Sequence, residues 1–403
     1  MVVDFEEALE IVRRESRTLA TPALESAALL ASVGRVLARG VSADRDQPPF
    51  DRSTRDGFAV QAQALASGAE LGVVGQVRAG EVWTGAGVDA ESTIGIMTGA
   101  PLPEGADAVV MIEHVVRGEG TIRLATGRGL RVGENVVARG SEAREGDEVL
   151  ASGARIGGAE IALAAACGCA ELTVFQRPVV AIVSTGDELV ELDETPGAEQ
   201  IRNSNSYALA ALVERAGGAA ERLAIARDVR EEIRERVSRG RGADLLVFSG
   251  GVSMGEYDLV EEVLAEFGAE FLFTGVRMQP GRPVVFGRLP ERYGHAARYF
   301  FGLPGNPISV QVTFHCFVEP MLRALAGETH LGPRWAQATL LAGESGKDGI
   351  TRLLPARMDG IGVRVVGWQG SGDLAANARA NCYVKFLPGR EYRKGEVVRV
   401  LLR

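Results

Sequence analysis

Cysteine and histidine are both scarce, four of each among 403 residues. Cys167 and Cys169 form a lone C-x-C in AAACGCAEL, with no second pair or histidine close by. That excludes a zinc ribbon or finger and leaves small buried residues at a helix end as the plain reading. The lack of a cysteine framework fits a reducing compartment. A basic excess is missing too. With a net charge of −9, the chain has no broad basic face for nucleic acid, so any anionic ligand must be met by a concentrated local site. No apolar run reaches the roughly 20 residues of a membrane span. The opening MVVDFEEALEIVRRES is acidic and amphipathic, unlike a secretory signal. No nucleic acid, no membrane and a cytoplasmic location are the expectations.

What is present reads as several domains, α/β plus β. In residues 1–45, Phe5, Ala8, Leu9 and Val12 share one helical face, and ALESAALLASVGRVLA reads as a second helix. From 46 to 140 the texture turns to short β-like segments, GFAVQA, AELGVVGQV, STIGIMTG and ADAVVMIEHVVR, separated by glycine and proline turns. Residues 141–175 hold GARIGGAEIALAAACG, read as a buried helix, and the strand AELTVF. They are assigned with 1–45 to one discontinuous helix-rich domain. Residues 176–327 alternate strands and helices: PVVAIVS, NSYALAALVERAGG, ERLAIA, VREEIRERVSRG, ADLLVFS, YDLVEEVLAEFG, PVVFG, RYFFG and a long helix from NPISVQVTF. This is the pattern of a doubly wound parallel sheet. The tail, 328–403, returns to short strands and reads as a small β-barrel or sandwich.

In such a sheet the parallel strands end on one edge, and ligands bind in the crevice there. Thr185-Gly186-Asp187-Glu188 follows AIVS, and Arg227-Asp228 follows LAIA. FSGGVSMGEYD supplies Gly250, Gly251, Ser253 and Asp258, and GLPGNP supplies Pro304, Asn306 and Pro307. Singly, each is an ordinary turn or helix cap: Asp187 can cap, and Asn306-Pro307 can open a helix, leaving free N–H groups toward an anion. Together on one edge they form a binding rim. FSGGVSMGEYD lacks the lysine of G-x-x-x-x-G-K-[ST] and the spacing of G-x-G-x-x-G. Its glycines let backbone N–H groups approach phosphate oxygens. Carboxylates beside phosphate require a cation between them, and Mg²⁺ takes one or two carboxylates plus phosphate oxygens. Asp187, Glu188, Asp228 and Asp258 are therefore the candidate metal-site residues. Arg282 in MQPGRPVVFG offers a planar fork to an oxyanion, and Arg202 in QIRNSNS is a weaker candidate. Asp56-Gly57 in STRDGFAV and Thr98-Gly99 in MTGAPLPEGADAVV read as turns, while Arg352 and Ser371 sit in polar, loop-rich surroundings.

Taken in order, RSTRDGFAV, MTGAPLPEGADAVV, STGDEL, SGGVSMGEYD, MQPGRP, GLPGNPISV and GWQGSGDLAANARAN resemble the molybdopterin molybdenumtransferase family, which includes bacterial MoeA and the carboxy-terminal domain of gephyrin. The resemblance covers essentially the whole chain. It implies four subdomains, the third a molybdopterin-binding α/β fold, in an elongated homodimer. It further implies that molybdate is inserted into adenylylated molybdopterin with release of AMP and with Mg²⁺ as the metal. By the same resemblance Asp56, Thr98, Asp187, Glu188, Asp228 and Asp258 are catalytic, with Asp187, Glu188 and Asp258 on the metal. Gly250, Gly251, Ser253, Gln279, Arg282, Pro304, Asn306, Pro307, Arg352 and Ser371 bind substrate. The chain departs from some members at Gln279 and Arg282, where they have lysine, and at Glu142, where aspartate is frequent. The competing readings are a molybdopterin adenylyltransferase, which would need neither 46–140 nor the β tail, and a molybdopterin-binding scaffold. A separate adenylyltransferase is a possible docking partner.

Overall fold

The computed structural model describes residues 1–251, 259–290, 298–329 and 331–403. The described chain falls into two compact units, Met1–Ala38 with Gly153–Gly157 and Leu172–Arg403, and Arg39–Ser152 with Gly158–Glu171.

The first unit is built on a six-stranded sheet. Val179–Ser184 lies between Ala219–Arg222 and Leu245–Ser249, and Leu245–Ser249 pairs with Arg298–Leu303, all in parallel. The alternating side chains of these β-branched and aromatic runs feed two cores. Val180, Ile182, Leu245, Val247, Phe301 and Leu303 enter one core, which also takes Leu209 and Val213 of helix Ser204–Ala216. Ala181, Val183, Leu246, Phe248 and Phe300 enter the other, beside Ile233 and Val237 of Arg230–Gly240 and Val263 of Leu259–Glu266. A sheet apolar on both faces with helices over each is the doubly wound arrangement. It is not wholly parallel. Val285–Leu289 runs antiparallel to Arg298–Leu303, and Glu270–Phe273 pairs antiparallel with it at the edge. Antiparallel neighbours need no crossover, whereas a parallel neighbour needs a long one.

The amino-terminal helix Phe5–Ser16 starts in a capping box of Asp4 and Glu7 and buries Phe5, Ala8, Ile11 and Val12 in the first core. The expected second helix, ALESAALLASVGRVLA, does not form. Leu24–Ala28 is a strand paired with Glu171–Phe175, followed by one turn of 3₁₀ helix, Leu29–Ser32. Arg35 decides the matter: buried, it pairs with Glu25 and donates to the Phe175 carbonyl at 2.6 Å. That tertiary tie outweighs the helix propensity of an alanine-rich run. The strand expected in ERLAIA begins earlier, at Ala219–Arg222. The helix opening at Pro307 runs to Leu325, with a π-helical turn at Phe314–Val318.

The tail of this unit closes on itself. Thr351–Asp359, Gly362–Val365, Trp335–Leu340, Val397–Leu402 and Cys382–Phe386 pair in sequence, and Cys382–Phe386 pairs back with Thr351–Asp359. Closure removes the exposed edges of a small sheet. A short segment, Met278–Gln279, adds to Thr351–Asp359 in parallel and sets Gln279 beside Arg352.

The second unit holds a six-stranded sheet in the order Ala108–Met111, Gly57–Val60, Ser92–Ile96, Leu71–Val77, Thr121–Leu124, Val115–Arg117. Phe58, Val60 and Val110 fill one face, and Ala59, Ile94 and Val109 the other. Its helix Gly158–Ala166 was expected to be buried, but only Ala164 is. The helix touches the unit along one narrow stripe, and alanine elsewhere costs little in water. Cys167 is buried and Cys169 half-buried at its end. Among the described residues no helix is long and apolar enough to cross a membrane.

Phe286 is the centre of the aromatic packing under the main sheet, stacked on Phe301 at 4.5 Å and on Tyr299 at 5.7 Å, with Phe273 at 5.6 Å. Phe286→Ala is expected to destabilise the first unit by about 3–5 kcal/mol, read as a lowered urea midpoint of its unfolding transition.

Candidate functional site

The parallel register sets the rim. Ser184 pairs with Ser249, and Ser249 with Leu303, so Thr185, Gly250 and Pro304 leave the sheet side by side. Thr185 donates its N–H to the Ser249 carbonyl at 3.1 Å, and Gly250 donates to Leu303 at 3.1 Å. Gly250 and Gly251 have φ of 91° and 62°, the left-handed region. A Cβ on Gly250 would lie 2.5 Å from the Thr185 carbonyl, and one on Gly251 2.5 Å from Thr185 Oγ1. Only glycine fits both the conformation and the space. Ser253 and Asp258 lie outside the described residues.

On the same edge, Asp187 Oδ1 accepts the Asp228 N–H at 3.2 Å, and Arg227 donates to the carbonyls of Asp187 at 2.8 Å and Leu189 at 3.1 Å. These bonds hold three carboxylates close together. Burial first, then the charges of Asp187 and Glu188, push the Asp228 carboxyl above its ordinary value. Two buried polar atoms there are unsatisfied, Thr185 Oγ1 and Asn203 Nδ2, although Asn203 Oδ1 is engaged by Ser184 Oγ at 3.0 Å and by the Ser206 N–H at 3.2 Å. An orphaned buried group is costly unless a ligand or water completes it. The rim therefore has acceptors that repel one another and groups left without partners. Among the described residues no cluster of three or more His, Cys, Asp or Glu is arranged to enclose a metal. What is present fits the open kind of site, in which Mg²⁺ takes one or two carboxylates and completes its shell with substrate oxygens and water.

Next to the rim lies a cleft of about 490 Å³. Gly305 joins the two: it packs against Gly250, and its carbonyl accepts from Asn205 Nδ2 at 2.7 Å. The cleft gathers Gln279, Arg282, Pro304, Asn306 and Ser371 from the sequence-derived set and adds Lys347 and Trp368. Ser371 is anchored by its carbonyl, which accepts the Ile308 N–H at 2.9 Å, so that donor of the Pro307 helix is already used. Asp373 shapes the neighbouring loop, accepting from Gln369 N–H at 3.1 Å and Ala376 N–H at 2.9 Å. Arg352 stands beside Gln279 in the strand register but is tied to Glu344 at 3.2 Å and to the Ser345 carbonyl at 2.6 Å, leaving its Nε without a partner. Pro307 opens its helix at the first turn. Arg202 takes no part here and donates to the Leu192 carbonyl.

In the second unit the two turn-like motifs, 42 residues apart, meet. Asp56 Oδ1 accepts both the N–H of Thr98 at 2.7 Å and its hydroxyl at 2.8 Å. These bonds hold the Asp56 carboxyl below its ordinary value. Glu142 pairs with Arg52 at 3.0 Å.

Sequence reasoning missed Lys347, Trp368, Asn203 and Asn205. Lys347 did carry a signal, since the chain has only three lysines among its 44 basic residues. Asn203 caps the helix that begins at Ser204.

A glycine loop at the carboxyl edge of a doubly wound sheet, followed in the same unit by a closed β-barrel, defines a multidomain α/β protein with a ligand site at that edge. Comparison narrows this. The MoeA N-terminal region (domain I and II) matches residues 3–168, the "Probable molybdopterin binding domain" 181–324, and the MoeA C-terminal region (domain IV) 337–402. A molybdopterin molybdenumtransferase of Staphylococcus aureus (strain COL) is 33% identical over 99% of this chain and 95% of its own. One from Nostoc sp. is 38% identical over 74% of this chain and 69% of its own. Among solved structures, the molybdopterin biosynthesis MoeA protein of Pyrococcus horikoshii OT3 superposes with a TM-score of 0.78 at 28% identity, covering 100% of both chains. The chain belongs to the molybdopterin molybdenumtransferase family, as its motifs implied.

Two outcomes test these local assignments. A depressed folded-state pKa gives Asp56 a stabilising role that is present above the ordinary aspartate value and lost as pH falls through the lowered one. Thermal unfolding should therefore show Asp56→Asn less stable than the parent near neutral pH, with the gap closing in acid. Gly250→Ala should cost more than about 1 kcal/mol, because alanine resists positive φ and meets the Thr185 carbonyl; denaturant titration reads it.

Proposed function

We propose that this chain inserts molybdate into adenylylated molybdopterin, releasing AMP and molybdenum cofactor. The observation that carries the reading is the separation of charge on one unit. A cleft lined by cations, with no carboxylate among its described lining residues, adjoins a rim of glycines and carboxylates. The first suits an oxyanion, the second a phosphoanhydride shared with a metal. The names of the family relatives support the same transferase chemistry.

In this mechanism the Gly250–Gly251 backbone approaches the anhydride, with Thr185 Oγ1 and Asn203 Nδ2 as further polar contacts. Asp187 and Glu188 would hold Mg²⁺, with Asp258 as a third ligand and Asp228 beside them; the ion supplies neutralisation of phosphate charge when bound. Arg282 orients molybdate in the cleft, with Gln279, Asn306, Arg352 and Ser371 as polar contacts and Pro304 and Pro307 shaping the wall. Ser253 belongs with the glycine loop by sequence. A molybdate oxygen attacks the adenylyl phosphorus, and the anhydride bond to the pterin phosphate breaks. That oxygen leaves molybdenum with AMP as a dithiolene sulfur takes its place, so the protein's work is positioning and electrostatic stabilisation. Asp56, kept ionised by Thr98, is a functional position of the second unit. Magnesium dependence, a homodimer, a cytoplasmic location and docking of a separate adenylyltransferase belong to the same proposal.

Purified protein with Mg²⁺, adenylylated molybdopterin and molybdate should release AMP only when molybdate is present. Pyrophosphate release from ATP and free molybdopterin would show an adenylyltransferase instead, and no turnover by folded protein would show a scaffold. Arg282→Ala should lower molybdate-dependent AMP release by roughly 10²–10³. Asp228→Asn should cut AMP release and yet raise the thermal midpoint of the ligand-free protein at neutral pH. A carboxyl whose folded pKa is raised opposes folding above that pKa, and the amide removes this opposition.

A further inference from the structure

Lys347 is unusual in where it sits. Of the three lysines, Lys385 is buried and paired with Glu6, and Lys394 belongs to an exposed turn. Lys347 lines the cleft with Arg282 and Gln279. No aspartate or glutamate is among the described residues that line it, although the whole chain carries 53 acids against 44 bases. Of the acids nearest in sequence, Glu344 pairs with Arg352, and Asp348 lies toward Gly389, its Oδ1 3.1 Å from where a Cβ there would be. The backbone carrying Lys347 is fixed on both sides. Its carbonyl accepts from Gly389 N–H at 3.3 Å and Ile350 N–H at 3.4 Å, and Gly346 donates to the Arg390 carbonyl at 2.7 Å.

Two cations, neutral polar groups from Gln279, Asn306, Ser309 and Ser371, and no carboxylate among the described lining residues make a cradle for a small tetrahedral dianion. A single arginine balances half of such a charge. Arg352 is already paired with Glu344 and Gln279 is neutral, so the second charge is left to the lining, where Lys347 supplies it. Its compact, mobile ammonium suits an ion that enters and leaves, whereas the planar guanidinium of Arg282 fixes orientation.

We propose that Lys347 is the second charge of the molybdate subsite, binding the free oxyanion before it meets the pterin. This rests on the functional reading above and adds the residue that sets molybdate affinity. Both molybdate and the phosphate of the adenylyl group are tetrahedral oxyanions, so the test separates them.

Molybdate alone and AMP alone are titrated calorimetrically into the full-length protein at low and moderate salt. Lys347→Ala should weaken molybdate binding by about tenfold and flatten its salt dependence, while AMP binding and the thermal midpoint stay put. Lys347→Arg should remain within about threefold of the parent, since the charge is kept. Adding Gln279→Lys to Lys347→Ala should recover most of the affinity, because a charge returns to the lining of the same cleft. Molybdate affinity unchanged within twofold in Lys347→Ala overturns the assignment. So does a loss confined to AMP, which would give this ammonium to the phosphate, and so does a parent protein that does not bind molybdate. If the isotherms behave as expected while molybdate-dependent AMP release is absent from the parent, the subsite stands and the transferase reading fails.

Discussion

The pairing of Ser184 with Ser249 and of Ser249 with Leu303 fixes everything that follows at the rim. Parallel strands in this register must release Thr185, Gly250 and Pro304 at one height. A slip of one residue would turn every side chain to the opposite face, sending Val180 and Ile182 into the core that now takes Ala181 and Val183. Two differently shaped cores, one rich in aromatics and one of smaller residues, therefore hold the register, and the register holds the rim.

Charge is arranged against the average of the chain. An acidic protein presents carboxylates that crowd at Asp187, Glu188 and Asp228, and keeps them out of the adjoining cleft. The crowding is tolerated because all three residues reach the surface, where water weakens their repulsion, although partial burial still raises the Asp228 carboxyl. Buried charges are instead compensated, as with Lys385 and Glu6, or Arg323 and Glu328 at 2.6 Å. The rim thus stores a modest electrostatic cost that a cation and a polyanionic substrate would relieve together. Asp56 is the contrast: two bonds from Thr98 favour its charged form, and no neighbouring carboxylate opposes it.

Much of this was legible in the chain. PVVAIVS, ADLLVFS and RYFFG have the continuous apolar character of strands covered on both faces, and the polar groups after them had to share an edge. The barrel strands were legible for the same kind of reason, although their closure was not. The misses came where local pattern and tertiary contact disagree. ALESAALL favours helix by composition, but Arg35, Glu25 and Phe175 hold it extended. GARIGGAEIALAAACG looked like a buried helix because alanine is apolar, but alanine is also the residue least penalised by exposure.

The sequence by itself determined the alternation of strands and helices, the acids and glycines that follow the strands, and the family to which the chain belongs. These are properties of consecutive residues, set by side-chain periodicity and by the chemistry of single loops. Only the tertiary structure decided that Asp56 meets Thr98 across 42 positions. It alone brought Lys347 to the cleft of Arg282 and Gln279 and turned Arg352 toward Glu344. Those outcomes depend on where loops from distant strands come to rest, and no local periodicity encodes the distance between two loop side chains.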